Sequence, residues 1–373
     1  MSTATHESDA RSDQAYQNQV LEHVSRTFAL TIPQLPAGLR EAVTSAYLLC
    51  RIADTIEDEP ALNALEKVRF LNQFSAVVAG RADPEALAAE LTPRLSNHSS
   101  AHERDLSAHL ARVVRTVRAS DARVQAAIER CIDIMCEGMH RFQRNASVRG
   151  LGRLTDLDSY CYHVAGVVGE MLTELFCVYV PAMQRHYPTL WRLAPSFGQG
   201  LQMTNILKDL WEDRARGACW LPRDTFDCRG LSLEQLPGRH QEAAFRDGLQ
   251  ELIAIAHGHL RNALAFTLLI PARQSGIRRF CLWSIGLALL TLHRINDNPR
   301  FTAGAQVKVS RRAVAVVQTV CNLSARSDTL LRALFAYTAR GLPLIDQSGA
   351  RTSVELPEQH AGQDAGARSV VGS

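Results

Sequence analysis

Ala46-Tyr-Leu-Leu-Cys-Arg-Ile-Ala-Asp-Thr-Ile-Glu-Asp58 and Leu201-Gln-Met-Thr-Asn-Ile-Leu-Lys-Asp-Leu-Trp-Glu-Asp213 share one pattern, an apolar-periodic run that closes on Asp-x-x-Glu-Asp. Helical spacing puts Asp54 and Asp58 on one face, a turn apart, and does the same for Asp209 and Asp213. The flanks are otherwise apolar and read as buried faces. Like charges there are costly unless cations compensate them. Arg51 and Lys208 offer a salt-bridge solution, but each motif carries more carboxylates than bases. Paired carboxylates beside a base suit Mg²⁺, a hard cation that combines a few carboxylates with substrate phosphate oxygens. The pattern therefore points to metal ions held against a diphosphate. Around the second motif, Gln202, Asn205, Asp209 and Asp213 recur at intervals of three and four, so all four share one face. Asn205 can offer an amide oxygen to metal.

The rest of the chain agrees with a helical protein. Its 373 residues are 46% hydrophobic, rich in helix formers and poor in alternating β-branched runs, which predicts an all-α fold. Helices are predicted over 38–59, 62–79, 102–117, 122–144, 156–179, 189–214, 241–267, 277–295 and 311–339, with Pro and Gly marking the turns between them. No linker divides the chain, so residues 17–346 are expected to form a single domain. Residues 1–16 and 347–373 are expected to be disordered.

A net charge of +3 implies no nucleic-acid partner. Nine cysteines without a CxxC pair read as reduced core thiols and a cytoplasmic location. The polar N-terminus has no signal core. The run from Cys281 to Leu292 is shorter than the roughly 20 apolar residues of a membrane span. No transmembrane anchor is expected, while peripheral contact with a membrane for product release stays open. Oligomeric state is not legible.

A third segment, Tyr160-Cys-Tyr-His-Val-Ala-Gly-Val-Val-Gly169, strips bulk from one face of a predicted helix at Ala165, Gly166 and Gly169. Glycine inside a helix costs about 0.5–1 kcal/mol relative to alanine, so two of them imply close helix packing or room for a ligand. Tyr160 can handle a proton or steady a cation; His163 reads as structural. No dinucleotide fingerprint, P-loop, HExxH or nucleophile elbow is found.

These segments, with Ser25-Arg-Thr-Phe-Ala-Leu30, resemble the squalene/phytoene synthase family of head-to-head prenyl transferases, most nearly its squalene synthase branch. The resemblance runs from about Ser25 to Val314. It implies an isoprenoid-synthase helical bundle with a central cavity where two molecules of farnesyl diphosphate meet. Asp54, Glu57, Asp58, Asn205, Asp209 and Asp213 would hold Mg²⁺, or Mn²⁺ in its place. Ser25, Arg26, Thr27, Arg51 and Lys208 would bind diphosphate. Phe28, Tyr47, Val164, Ala165, Gly169 and Gln202 would line the pocket, and Tyr160 would assist proton loss. A looser match over Phe301 to Val314 implies NADPH contacts at Lys308, Arg311 and Asn205. Three positions depart from the family: Lys208 where arginine is usual, Ala218 where many members carry an arginine that meets diphosphate, and Ser310 in the NADPH stretch. Phytoene, dehydrosqualene and hydroxysqualene synthases, and a non-catalytic helical scaffold, remain as alternatives.

Overall fold

A computed structural model describes residues 2–25, 27–143 and 147–345. Among the described residues the regular elements are all helical, with one isolated bridge between Leu151 and Pro222 and no strand. The principal helices are α1 (Ser2–Val24), α2 (Leu39–Asp58), α3 (Ala122–Gln143), α4 (Val167–Tyr179), α5 (Tyr187–Lys208), α6 (Leu210–Ala215), α7 (Ala243–Leu269) and α8 (Ser275–Asp297).

Helix α2 shows how the sequence sets an element. Gly38 starts it at φ +78°, a conformation that favours glycine. Leu39, Val43, Ala46, Leu49, Ile52, Ala53 and Ile56 recur at helical spacing and are buried. Pro60 stops it, because the residue before a proline is steered out of helical geometry, and Glu59 is indeed extended. Glu59 is fully buried and accepts from Ala61 N, Ser96 N and Ser99 Oγ.

A main core joins the helices, with α5 packed along α7 and α4, and a small second cluster gathers Leu264, Leu282, Ala325 and Leu331. The Tyr160–Gly169 segment supplies the closest approach. A Cβ on Gly169 would lie 2.0 Å from Ala194 O, and one on Gly198 would lie 1.9 Å from Ala165 O. Both glycines are thus required by backbone-to-backbone packing. A wide π turn over Tyr162–Gly166 interrupts the helical run there.

Several boundaries differ from those expected. Helix α1 begins at Ser2, although residues 1–16 were expected to be disordered. Its polar face is anchored: Asp13 is buried against Arg112 and Arg115, and Tyr16 donates to Asp105. Local composition could not show these partners. The helix expected over 189–214 breaks at Asp209, where α5 gives way to α6. Residues 102–117 and 311–339 each divide into two helices, at His109 and around Ser327, whose hydroxyl caps the second. The expected tail 347–373 lies outside the described residues.

Three helical stretches, Leu154–Tyr179, Ala243–Leu269 and Ser275–Asp297, are long and apolar enough to cross a membrane. The third contains the Cys281–Leu292 run, read as too short because neighbouring polar residues were left out of the count. Between 61% and 72% of their apolar windows is buried inside the protein, so most of that surface serves the core.

Candidate active site

A cavity of about 470 Å³ lies inside the bundle, within the usual size range of ligand pockets. Two helical stretches supply much of the lining, and each changes character along its length. On α2 the lining runs from Val43 through Tyr47, Arg51 and Asp54 to Glu57 and Asp58. On α5 and α6 it runs from Phe197 through Leu201, Gln202, Asn205, Lys208 and Asp209 to Asp213. The fifteen-residue rise from Val43 to Asp58 spans about 22 Å. The acidic ends of the two stretches meet, since the charge of Asp58 acts on Asp213. Phe28, Ile32, Met171, Leu172 and Phe280 complete the apolar end. The result is a greasy pocket with a carboxylate-rich mouth.

The mouth is electrostatically strained in a direction that favours cations. Burial pushes the Asp54 carboxyl up to about 6, against the pull of Arg51 and with help from Asp58. Burial and the neighbouring Asp58 push Glu57 up to about 8, although Gln143 Nε2 donates to its Oε1 at 3.1 Å. Asp213 is also raised, by burial first, despite its ion pair with Arg216. Arg51 reaches Asp54 at 3.6 Å and also pairs with Glu103. Lys208 reaches Asp209 at 3.0 Å. These bases do not neutralise the mouth, whose remaining carboxylates are available to added positive charge.

Among the described residues, no three His, Cys, Asp or Glu side chains form a ready-made metal cluster. The carboxylates of both motifs instead line one cavity, where the charge of Asp58 acts on Asp213. This arrangement fits Mg²⁺, which keeps several waters, takes one or two carboxylates and fills the rest of its shell with phosphate oxygens. The donors are all hard oxygens, as that ion prefers.

Tyr160 lies at the acidic end. It is buried, stacked flat on Trp220 at 4.3 Å, and edge-on to Phe142 at 5.3 Å. Burial, then the charges of Glu57, Asp58 and Asp213, hold its phenol well above the ordinary range, so it stays protonated. Phe28, Tyr47, Val164, Ala165, Gly169 and Gln202 all line the cavity. Phe28 and Tyr47 form a tilted ring pair at 5.0 Å.

Other expected site residues lie elsewhere. Ser25 accepts from Phe28 N at 2.9 Å, and neither it nor Thr27 is part of the lining. Arg26 lies outside the described residues. Lys308 and Arg311 are exposed and do not line the cavity. Ser310 has a structural use, because its hydroxyl accepts from Ala313 N and caps the helix Arg311–Ser324. The segment before it is nonetheless tied to the second motif: Trp211 Nε1 donates to Phe301 O at 2.7 Å, and Gly304 N donates to Glu212 Oε1 at 2.9 Å. His163 donates its Nδ1–H to Ser159 O, packs on Gly138, and is not a lining residue.

Three lining residues able to donate hydrogen bonds, Gln143, Arg216 and Trp220, escaped the sequence reading, as did several apolar ones. Only Arg216 left a usable signal, a base three residues after Asp213 on the same helical turn.

A sequence profile for squalene/phytoene synthase matches residues 21–313. The squalene synthase of Eremothecium gossypii is 27% identical over 316 residues, covering 83% of this chain and 67% of its own. The squalene synthase of Nicotiana benthamiana is 30% identical over 304 residues, covering 80% of this chain and 68% of its own. The matches thus span about two thirds of these relatives' length. The solved complex of TcSQS with the ligand BPH1237 superposes with a TM-score of 0.71 at 24% identity, covering 88% of this chain and 91% of that one, a likeness of fold. The chain belongs to the squalene/phytoene synthase family.

Proposed function

We propose that this protein is a squalene synthase, joining two molecules of farnesyl diphosphate head to head through a cyclopropyl diphosphate and reducing that intermediate to squalene. The observation that carries the condensation is the meeting of both acidic motifs at one mouth of an apolar cavity. Asp54, Asp58, Asp209 and Asp213, with Glu57 and Asn205, would hold Mg²⁺ there. Bound Mg²⁺ supplies Lewis-acid stabilisation of the departing diphosphate. Arg51 and Lys208 bind and orient the anion at the mouth, in the direction that lowers the barrier to its departure. The apolar end places the prenyl chains and excludes water, which would otherwise trap the allylic cation as an alcohol. Tyr160 keeps its proton and so is not the base; its phenol oxygen steadies the cation beside the reacting end and so assists the step, while the departed diphosphate accepts the proton lost as the cyclopropane closes. The nine unpaired cysteines support a cytoplasmic location.

NADPH stands differently. Lys308 and Arg311 as found form no site with the cavity, so no step is derived through the nucleotide. The reductive ending rests on likeness to squalene synthases. That placement also favours a second reading, a dehydrosqualene or hydroxysqualene synthase that stops before reduction. Purified protein incubated with farnesyl diphosphate and Mg²⁺, with and without NADPH, decides between them by gas chromatography. Squalene only with NADPH supports the first reading. Identical products in both tubes support the second. No diphosphate release in either would refute both.

A further inference from the structure

Ala218 stands where the resemblance implies an arginine in many members, yet the structure brings another guanidinium to the same mouth. We propose that Arg216 supplies the missing cation, and that it lets go of Asp213 to do so. This rests on the reading of the cavity as a diphosphate site.

Arg216 lines the cavity, and Ala218 does not. Its backbone is well fixed at the end of α6, with its N–H shared between Glu212 O at 3.2 Å and Asp213 O at 3.0 Å. Gly217, at φ +87°, turns the chain away immediately afterwards. Ala218 N donates to Asp213 O at 3.0 Å, which ties that residue to the helix end. The Arg216 side chain is freer, with 46% of it exposed, against 11% for the Asp213 carboxylate it pairs with.

Its electrostatic surroundings separate it from the other two bases at the mouth. Arg51 is engaged by Asp54 and Glu103, and Lys208 by Asp209. Arg216 feels Asp58 from the first motif together with Asp213 and Asp209 from the second. It therefore sits where the two acidic motifs converge, which is where a diphosphate bridged by cations would lie. One Nη2 serves Asp213, and the planar fork has further N–H donors for an anion. A divalent cation arriving at Asp213 competes with Arg216 for the same carboxylate. Once displaced, the guanidinium has a phosphate oxygen as its natural partner. In this scheme Arg216 holds the place of the metal until metal and diphosphate arrive together.

The scheme predicts opposite signs for two ligands. Pyrophosphate binding in Mg²⁺ is measured by calorimetry on the full chain, and Mn²⁺ binding without pyrophosphate by electron paramagnetic resonance. Arg216→Ala should weaken pyrophosphate about 10- to 100-fold, while Mn²⁺ alone binds a few-fold more tightly because its competitor is gone. Adding Ala218→Arg to that variant should restore most of the pyrophosphate affinity. Arg216→Gln, which keeps a hydrogen-bonding stem near Asp213, is read in the same way should the alanine variant fold poorly in a thermal melt. Unchanged pyrophosphate affinity in the variants, with the wild type binding, would overturn the proposal and leave the cavity reading intact. Parallel loss of Mn²⁺ and pyrophosphate would make Arg216 a structural brace and also overturn it. Failure of the wild type to bind pyrophosphate in Mg²⁺ would sink the cavity reading and this proposal with it.

Discussion

Glu57→Gln should make the metal-free protein more stable at pH 8, and the gain should vanish in acid. Glu57 is buried at the mouth with Asp58 beside it, and its carboxyl is pushed from the ordinary 4.5 to about 8. A raised carboxyl pKa means that the folded chain binds more protons than the unfolded chain between those two values. Stability therefore falls as pH rises from 4.5 to about 8, and it is the charged form that destabilises. The rise corresponds to roughly 5 kcal/mol at about 1.36 kcal/mol per tenfold change in acidity. Relaxation and water entry reduce that figure, so a gain of about 1–3 kcal/mol is the working expectation. Glutamine keeps an amide oxygen for Gln143 Nε2 and cannot ionise, so the hydrogen bond persists while the charge is removed. Urea denaturation of both proteins in a chelator, at steps from pH 4.5 to 8.5, gives the difference directly. Adding Mg²⁺ with pyrophosphate should shrink it, because the ionised carboxylate then faces cations. A difference that is independent of pH, or a variant less stable than wild type at pH 8, would refute the reasoning.

Asp54→Asn and Asp209→Asn should each lower turnover by at least about 100-fold without lowering the melting temperature, since Asp54 too is raised by burial and its charge does not stabilise the metal-free fold; Mg²⁺-supported activity close to normal in both would count against the carboxylates as metal holders. Tyr160→Phe should slow appearance of the cyclopropyl intermediate in single-turnover assays, and an unaltered rate would move the steadying of the cation to another group. Gly169→Ala should destabilise by about 1–3 kcal/mol, since its Cβ would meet Ala194 O at 2.0 Å, which outweighs the gain of about 1 kcal/mol in helix propensity; a more stable variant in urea would show that α4 and α5 can separate cheaply.

The helices and the acidic faces were legible because they depend on local repetition. Apolar residues at helical spacing place Asp54 with Asp58, and the i, i+4 relation of Asp209 and Asp213 survives even though the helix breaks between them, since Asp213 N still donates to Asp209 O at 2.9 Å. The crowding at Gly169 was also foreseeable, because a glycine that weakens its own helix needs a neighbour to justify it. The anchoring of Asp13 was not, since it depends on Arg112 and Arg115 about a hundred positions away.

By itself, the sequence determined an all-helical chain, two carboxylate pairs with bases beside them, and a family resemblance carried by four ordered motifs. Those properties are short-range, written in spacing and residue type. Only the tertiary structure decided that the two pairs share one mouth, that Tyr160 lies flat on Trp220, that Lys308 stays outside, and that Arg216 stands between the motifs. Each of these is a distance between residues far apart in the chain, set by how helix faces pack. Local pattern carries no information about such distances until the backbone closes around them.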